Sequence, residues 1–277
     1  MSDLTIHTHT ASEAGLFVNS YLVETAEGLV VVDSNLLNSD IAALADRIAT
    51  LRKPLIGVFV THAHPDHFNG VHALVGDRDI PVYATEAVGK VIHEIADAKR
   101  AQWGPVYGDE WPKVTAYPTV LLDDRQEVEL GGVTFTAHHV GPAESHADSY
   151  YLARAEGTAQ PTAFIGDLAF HGTHPYTADG HGALWLDALG TLVTDLAEAR
   201  TLLPGHGAPT GVEVLAAQRQ YLLYYREVVR RLAEGAPSLS ETAKAELDRL
   251  MQEYAPGLPL SWMIALGADA VAGELAQ

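Results

Sequence analysis

The sequence predicts a mixed α/β fold in four layers, two β-sheets packed face to face with helices outside, followed by a helical C-terminal region. Three observations carry this. Two β-rich halves follow one another, each made of strands, a helix and a strand; strands in both halves end in side chains of metal-ligand type; and after Gly211 the apolar residues recur at helical spacing.

The first half opens with Asn19 to Thr25 and Leu29 to Asp33, two runs joined through Glu27-Gly28 that read as a hairpin. Ile41, Leu44, Ile48 and Leu51 then fall on one helical face and predict a helix over 39–52. Leu55 to Val60 is a short apolar run, the pattern of a buried strand. A helix near 69–75, a strand at Pro81 to Ala84 and a helix near 86–100 follow. Residues 101–119 mix Trp103, Tyr107, Trp111 and Tyr117 with Gly104, Pro105, Gly108, Pro112 and Pro118, which predicts a long structured loop, either a pocket wall or the packing of an insertion. The second half runs through strands at Val133 to Val140, Ser149 to Arg154 and Thr162 to Ile165, a helix near 183–199 and a strand at Thr201 to Leu203. Helices follow over roughly 212–234, 240–254 and 260–274, separated by Gly235-Ala236-Pro237 and Pro256-Gly257. The apolar segment around Trp262, Met263, Ile264 and Leu266 either packs on the sandwich or caps a cleft, and this region could supply a homodimer surface.

A chain of 277 residues, 47% apolar, can bury a substantial core. Seventeen basic residues against 36 acidic ones give a net charge of −19, which repels phosphate backbones and anionic membranes, so neither nucleic acid nor membrane is an expected partner. The absence of cysteine excludes disulfides and thiolate metal sites, whereas 14 histidines are an unusual store of N ligands. No apolar stretch reaches about 18 residues and the N-terminus has no secretory pattern, so the expectation is a cytoplasmic protein. The expected organisation is one domain over 1–277, with its core at about 15–210 and a helical extension over 211–277.

The chemistry gathers at Thr61-His62-Ala63-His64-Pro65-Asp66-His67, directly after the buried strand. Ligands two residues apart on an extended segment share one side, so His62 and His64 can grip one ion; Pro65 fixes the chain's course and turns Asp66 and His67 toward a second. Three further segments place ligand-type residues where strands end or turn: Gly141-Pro142-Ala143-Glu144-Ser145-His146, Gly166-Asp167 and Pro204-Gly205-His206-Gly207.

With these motifs, the His-x-His-x-Asp-His run together with Asn19-Ser20-Tyr21-Leu22-Val23, Val31-Val32-Asp33, Gly166-Asp167 and Pro204-Gly205-His206-Gly207, the chain resembles the metallo-β-lactamase fold superfamily across roughly residues 15–210. The resemblance implies an αββα sandwich with a helical C-terminal extension and two metal ions: His62, His64 and a third residue near 146 on one, Asp66, His67 and His206 on the other, and Asp167 bridging them. Glu144 and His146 would share a side of an extended segment, so either could be the third ligand. The preference of zinc-like metals for imidazole assigns His146. Two Zn²⁺ per chain are expected, with Fe or Mn as alternatives.

Two dications lower the pKa of a shared water, so the expected function is hydrolysis of a small-molecule carbonyl ester, lactone or thioester by a bridging hydroxide, with Asp66 also placed to orient the water or return its proton. The missing cysteine and the bridging Asp167 set the chain apart from the lactamase classes, which leaves β-lactam hydrolysis as an alternative, beside a non-catalytic metal-binding module. The glycine-cysteine turn of glyoxalase II is absent after Asp167. Phe170 stands where acyl-homoserine lactonases carry tyrosine, with Tyr176 a candidate replacement; His171 and His174 are ambiguous between substrate contact and loop.

Overall fold

A strand that is apolar at nearly every position is satisfied only by cover on both faces. In the computed structural model, which describes residues 4–276, β3 (Leu29–Val32), β4 (Leu55–Phe59) and β5 (Val82–Thr85) are such strands, parallel at the centre of one sheet. With β1 (Thr5–Thr10), β2 (Asn19–Glu24) and β6 (Val120–Leu122) they form a six-stranded sheet in the order β1-β2-β3-β4-β5-β6. The second sheet is β11-β10-β9-β8-β7, built from β7 (Glu127–Leu130), β8 (Val133–Gly141), β9 (Asp148–Ala155), β10 (Thr162–Gly166) and β11 (Thr201–Pro204). Its pairs are antiparallel except β10 with β11.

The alternation of side chains sorts each strand between two cores. Tyr21, Val23, Val30, Val32 and Phe59 point between the sheets against Phe135, Ala137, Tyr151, Phe164 and Leu203. Leu22, Val31 and Val58 point outward under α1 (Asn38–Leu51), the two short helices α2 (Pro65–Phe68) and α3 (Val71–Val75), and α4 (Glu86–Tyr107). On the far side, α5 (Gly182–Asp195) and the start of α6 (Glu213–Ala233) cover the second sheet through Trp185, Leu189, Val214 and Leu215. The result is an αββα sandwich. α6 continues into a separate apolar cluster with α7 (Glu241–Tyr254), α8 (Trp262–Leu266) and α9 (Ala268–Leu275), centred on Tyr225, Val229, Leu247, Met251 and Ile264. Among the described residues no helix is long and apolar enough to cross a membrane.

The structure departs from the expected elements in three places. α4 runs on to Tyr107 where a loop was expected from residue 101; Pro105 lies in its last turn, where it forgoes one bond to the carbonyl of residue 101 just before the helix stops, and only a 3-10 turn, Gly108–Glu110, and the segment beyond it are irregular. The expected helix over 260–274 is two helices broken at Gly267, where a Cβ would stand 1.9 Å from Thr177 Oγ1. β1, β6 and β7 have no counterpart in the sequence reading. All three are edge strands with few buried side chains, so the apolar signal that reveals a central strand is weak in them.

Phe59 locks the two sheets together: its ring is stacked on Tyr83 at 4.6 Å and Phe135 at 4.8 Å and meets Tyr151 edge-on at 4.9 Å. Phe59→Ala is expected to destabilise the protein by about 3–5 kcal/mol in urea unfolding. A loss of less than about 1 kcal/mol would show that the sheets are held elsewhere.

Candidate metal centre

Parallel strands deliver their C-terminal ends to one edge, and here both sheets deliver theirs to the same place. His62 follows β4 and bridges to Asp148 at the start of β9; Asp167 follows β10; His206 follows β11 and bridges to Val18 ahead of β2. Pro65 opens α2, whose single turn carries Asp66 and His67. The loop 204–207 is held by the first sheet: Tyr21 donates its hydroxyl to Pro204 O at 2.6 Å, and Asn19 Nδ2 donates to Gly207 O at 2.6 Å. Gly205 is required because a Cβ there would stand 2.0 Å from Asp167 Oδ1 and 2.7 Å from the His67 ring.

Two groups of buried donors result. His62, His64, Glu144 and Asp167 form one; Asp66, His67 and His206 form the other. His62 Nε2 lies 3.2 Å from His64 Nδ1, 3.6 Å from Glu144 Oε2 and 4.0 Å from Asp167 Oδ2. In the second group His206 Nε2 lies 3.3 Å from Asp66 Oδ2, and His67 Nε2 lies 3.5 Å from the same oxygen. Asp167 stands between the groups, its Oδ1 3.4 Å from His67 Nε2 and its Oδ2 3.2 Å from His206 Nε2.

The donor chemistry fits two cations. Each imidazole is tied by one nitrogen to a fixed partner, which leaves the other aimed into its group. His67 Nδ1 is 2.8 Å from Asp33 Oδ2, His206 Nδ1 is 2.8 Å from Leu16 O, His62 Nδ1 is 3.1 Å from Thr61 Oγ1, and His64 Nε2 is 3.1 Å from Asp179 Oδ2. Asp33 is itself fixed by the Thr61 amide at 2.9 Å and the Thr61 hydroxyl at 2.8 Å. The inward atoms His67 Nε2, Asp167 Oδ1 and both Glu144 oxygens are buried without a hydrogen-bond partner. Buried polar atoms left in this way are costly unless a cation completes them.

Electrostatics agree. Burial opposes charge on His64, His67 and His206, yet the facing carboxylates override it: Glu144 and Asp179 hold His64 well above the usual imidazole range, Asp167 and Asp66 do the same for His67, and Asp167 takes His206 up to about 10. Burial pushes Glu144 up to about 8 against the pull of His64. Burial and the neighbouring His67 together lower His62. A metal entering these groups therefore displaces protons, and affinity falls as pH falls.

His146 is where the structure corrects the sequence reading. Its side chain is 47% exposed, and its Nδ1 lies 2.7 Å from His181 Nε2, outside both groups, whereas Glu144 is fully inside one. The segment is not extended. Asp148 Oδ2 accepts the backbone N–H of Ala143 at 3.1 Å and of Ser145 at 2.8 Å, closing a turn that drives residue 144 inward and leaves 146 on the rim. The Gly141-Pro142 pair was the available signal of that turn. Asp179 had no signal in the sequence, and it backs His64 from a loop far along the chain. Tyr176 lies edge-on to His64 at 5.0 Å and its hydroxyl donates to Asp179 Oδ1 at 3.2 Å, so its proton is engaged there. Phe170 stacks on the His206 ring at 5.2 Å. The side chains of His171 and His174 reach neither group: His171 donates only its amide to His206 O, at 3.0 Å, while its Nδ1 is 2.8 Å from Ala208 O, and His174 is buried with its Nδ1 2.7 Å from the Tyr221 hydroxyl.

Above the ligand-type side chains opens a cleft floored by His64, Asp66, Asp167 and His206 and walled by Trp103, Tyr107 and Trp111 on one side and Trp262, Met263 and Leu266 on the other. The aromatics of residues 101–119 serve as both pocket wall and packing, since Trp111 is also buried against Leu36 and Leu37.

This strand-end geometry coincides with a family match: residues 14–214 fit the model of the metallo-beta-lactamase superfamily. The chain belongs to that superfamily. Among curated proteins this superfamily member is similar to a linear primary-alkylsulfatase of Pseudomonas sp., 25% identical over 280 residues that cover 86% of this chain and 51% of the relative. It is also similar to an exodeoxyribonuclease of Streptococcus pneumoniae, 32% identical over 68 residues, 24% of this chain and 25% of the relative. The chain thus spans about half the length of the first relative and a quarter of the second. Among solved structures it is similar in fold to a beta-lactamase domain protein from Burkholderia ambifaria, with a TM-score of 0.66 and 19% identity over 93% of this chain and 82% of that one. A metallo-beta-lactamase from Pontibacter korlensis gives a TM-score of 0.62 and 21% identity over 80% of this chain and 96% of that one.

Two substitutions separate the candidate third ligands of this superfamily member. Glu144→Gln is expected to lower the tightly held metal, read by elemental analysis after desalting, while His146→Ala retains the wild-type content; the reverse pattern would restore His146 as a ligand. Asp33→Asn, which disturbs the carboxylate behind His67, is expected to weaken metal retention by about 10–100-fold in a chelator competition. Wild-type affinity in that variant would show that His67 needs no backing.

Proposed function

We propose that the chain is a dinuclear metal-dependent hydrolase acting on a carbonyl ester, lactone or thioester of a small molecule. One observation carries the reading: two groups of inward-aimed, otherwise unpartnered ligand atoms share Asp167 at the floor of a mostly apolar cleft. Two divalent ions, with zinc suited to this N/O donor set, would supply a nucleophile from water at neutral pH and polarise the oxygen of the bond to be cut.

The chain's own residues do the rest. Asp33, Thr61, Leu16 and Asp179 hold the four imidazoles in fixed tautomers and orientations, so the site is set before substrate arrives. Asp66 reaches the cleft and burial does not neutralise it: His67 and His206 hold its carboxyl well below the usual range, and bound cations would do so in place of the protons they displace. It is therefore an ionised oxygen at the cleft floor, able to accept a proton from the attacking water and return it to the leaving group. The aromatic walls keep bulk water out and take the apolar part of the substrate. With Glu144 in place of an imidazole, three carboxylates rather than two stand against the two dications, and the centre attracts anions less than a histidine-only third ligand would allow.

A second reading, hydrolysis of a sulfate ester, is supported by the likeness to the alkylsulfatase over most of this chain and by a cleft apolar enough for an alkyl group.

One screen separates these. Zinc-loaded protein is assayed on 4-nitrophenyl hexanoate, an aliphatic lactone, a thioester, dodecyl sulfate and a cephalosporin, with and without chelator. The expected outcome is turnover of a carbonyl ester, lactone or thioester that chelation abolishes and zinc restores. Turnover of dodecyl sulfate alone would establish the second reading, and no turnover by protein holding two ions would leave a metal-binding module.

A further inference from the structure

The cleft holds one lysine or arginine among its described lining residues, Lys99. It is partly buried on α4, and among the described residues its ammonium makes no hydrogen bond or ion pair. Its visible electrostatic effect is to lower Asp179, but both Asp179 oxygens are already engaged, one by His64 at 3.1 Å and one by Tyr176 at 3.2 Å. A lysine that lines this cleft is not explained by a general excess of basic residues in a chain of net charge −19. It does not pair with Asp66, Glu144 or Asp167, so it stands apart from the ligand groups.

Its neighbours along the helix define what could reach it. Lys99, Trp103 and Tyr107 are four residues apart and lie along one face of α4, each step covering about 6 Å. All three line the cleft, and Trp262, Met263 and Leu266 of α8 face the same space. The wall is thus a cation followed by a strip of aromatic surface. A ligand matching it has a negative charge at one end of an apolar body.

We propose that this face of α4 selects an amphiphilic ester whose apolar body lies against Trp103 and Tyr107 and whose remote carboxylate pairs with Lys99. The proposal rests on the ester-hydrolase reading. Lys99 is a specificity-determining residue and takes no part in bond cleavage. The anion preference that Glu144 removes from the centre is supplied here instead, by a side chain that belongs to neither ligand group.

The test uses two substrates that differ only at the far end, 4-nitrophenyl hexanoate and mono-4-nitrophenyl adipate, with zinc-loaded protein. The wild type is expected to favour the adipate at least tenfold in kcat/KM, Lys99→Met to lower that preference at least tenfold, and Lys99→Arg to keep most of it. A wild type with no preference, or a Lys99→Met variant whose preference is within twofold of wild type, overturns the proposal. If neither ester is cut, the hydrolase reading fails and a binding measurement decides the role of Lys99 separately. 6-Phenylhexanoate and 6-phenylhexanamide are titrated against tryptophan fluorescence, and the acid-to-amide affinity ratio is expected to fall at least fivefold in Lys99→Met. An equal ratio in the two proteins, which is the result if the carboxylate seats on the metal ions, overturns the proposal as well.

Discussion

Four imidazoles and three carboxylates are withdrawn from water at one end of the sandwich, and the surrounding structure is organised around making that burial tolerable. A charge moved into a protein interior costs several kcal/mol unless it is paired and its remaining hydrogen bonds are made. The chain meets this with a second ring of partners. Asp33 and Thr61 lie behind His67 and His62, Leu16 O behind His206, Asp179 behind His64, and Asp148 behind the turn that carries Glu144. These partners come from both sheets and from loops far apart in sequence, so the centre holds its shape only while the sheets keep their register.

That dependence explains why the space between the sheets is so densely aromatic. Phe59 is the last residue of β4, three positions ahead of His62, and its ring is clasped by Tyr83, Phe135 and Tyr151. Tyr151 also donates its hydroxyl to Val60 O at 3.0 Å, and the Ser149 amide and hydroxyl both donate to Thr61 O. The second sheet thereby fixes the backbone that launches the ligand run of the first. Packing and ligand geometry are one system, with the core setting where the strand ends fall.

Glu144 links the electrostatics of the centre to the shape of the cleft. A carboxylate in that place balances more of the positive charge two ions would bring, and an acidic chain offers little other attraction for an anion. Recognition then falls to the walls, where α4 and α8 present aromatic and aliphatic surface. Those walls come from the last turns of α4 and the segment just beyond it, and from the C-terminal helices, which pack on α6 through their own cluster.

Much was legible in the linear chain. Central strands announce themselves by unbroken apolar runs, amphipathic helices by their spacing, and the ligand run 61–67 by imidazoles two apart followed by a proline that redirects Asp66 and His67. These are local properties, written within a few residues of one another. The edge strands β1, β6 and β7 were not legible, because a strand with one exposed side and no outer neighbour buries too little to leave an apolar pattern. Nor did the sequence place Glu144 rather than His146 among the inward side chains, since the imidazole preference pointed to His146. That choice depends on whether the segment is extended or turned, and the turn is imposed by the carboxylate of Asp148, itself held in place by its bridge to His62, three residues beyond the end of β4. The sequence by itself determined which side chains could bind metal and where the central strands and the amphipathic helices lie. Only the tertiary structure decided which of those side chains meet and that Asp179 stands behind His64, because such distances are set by strand register and loop closure between residues that are remote in the chain.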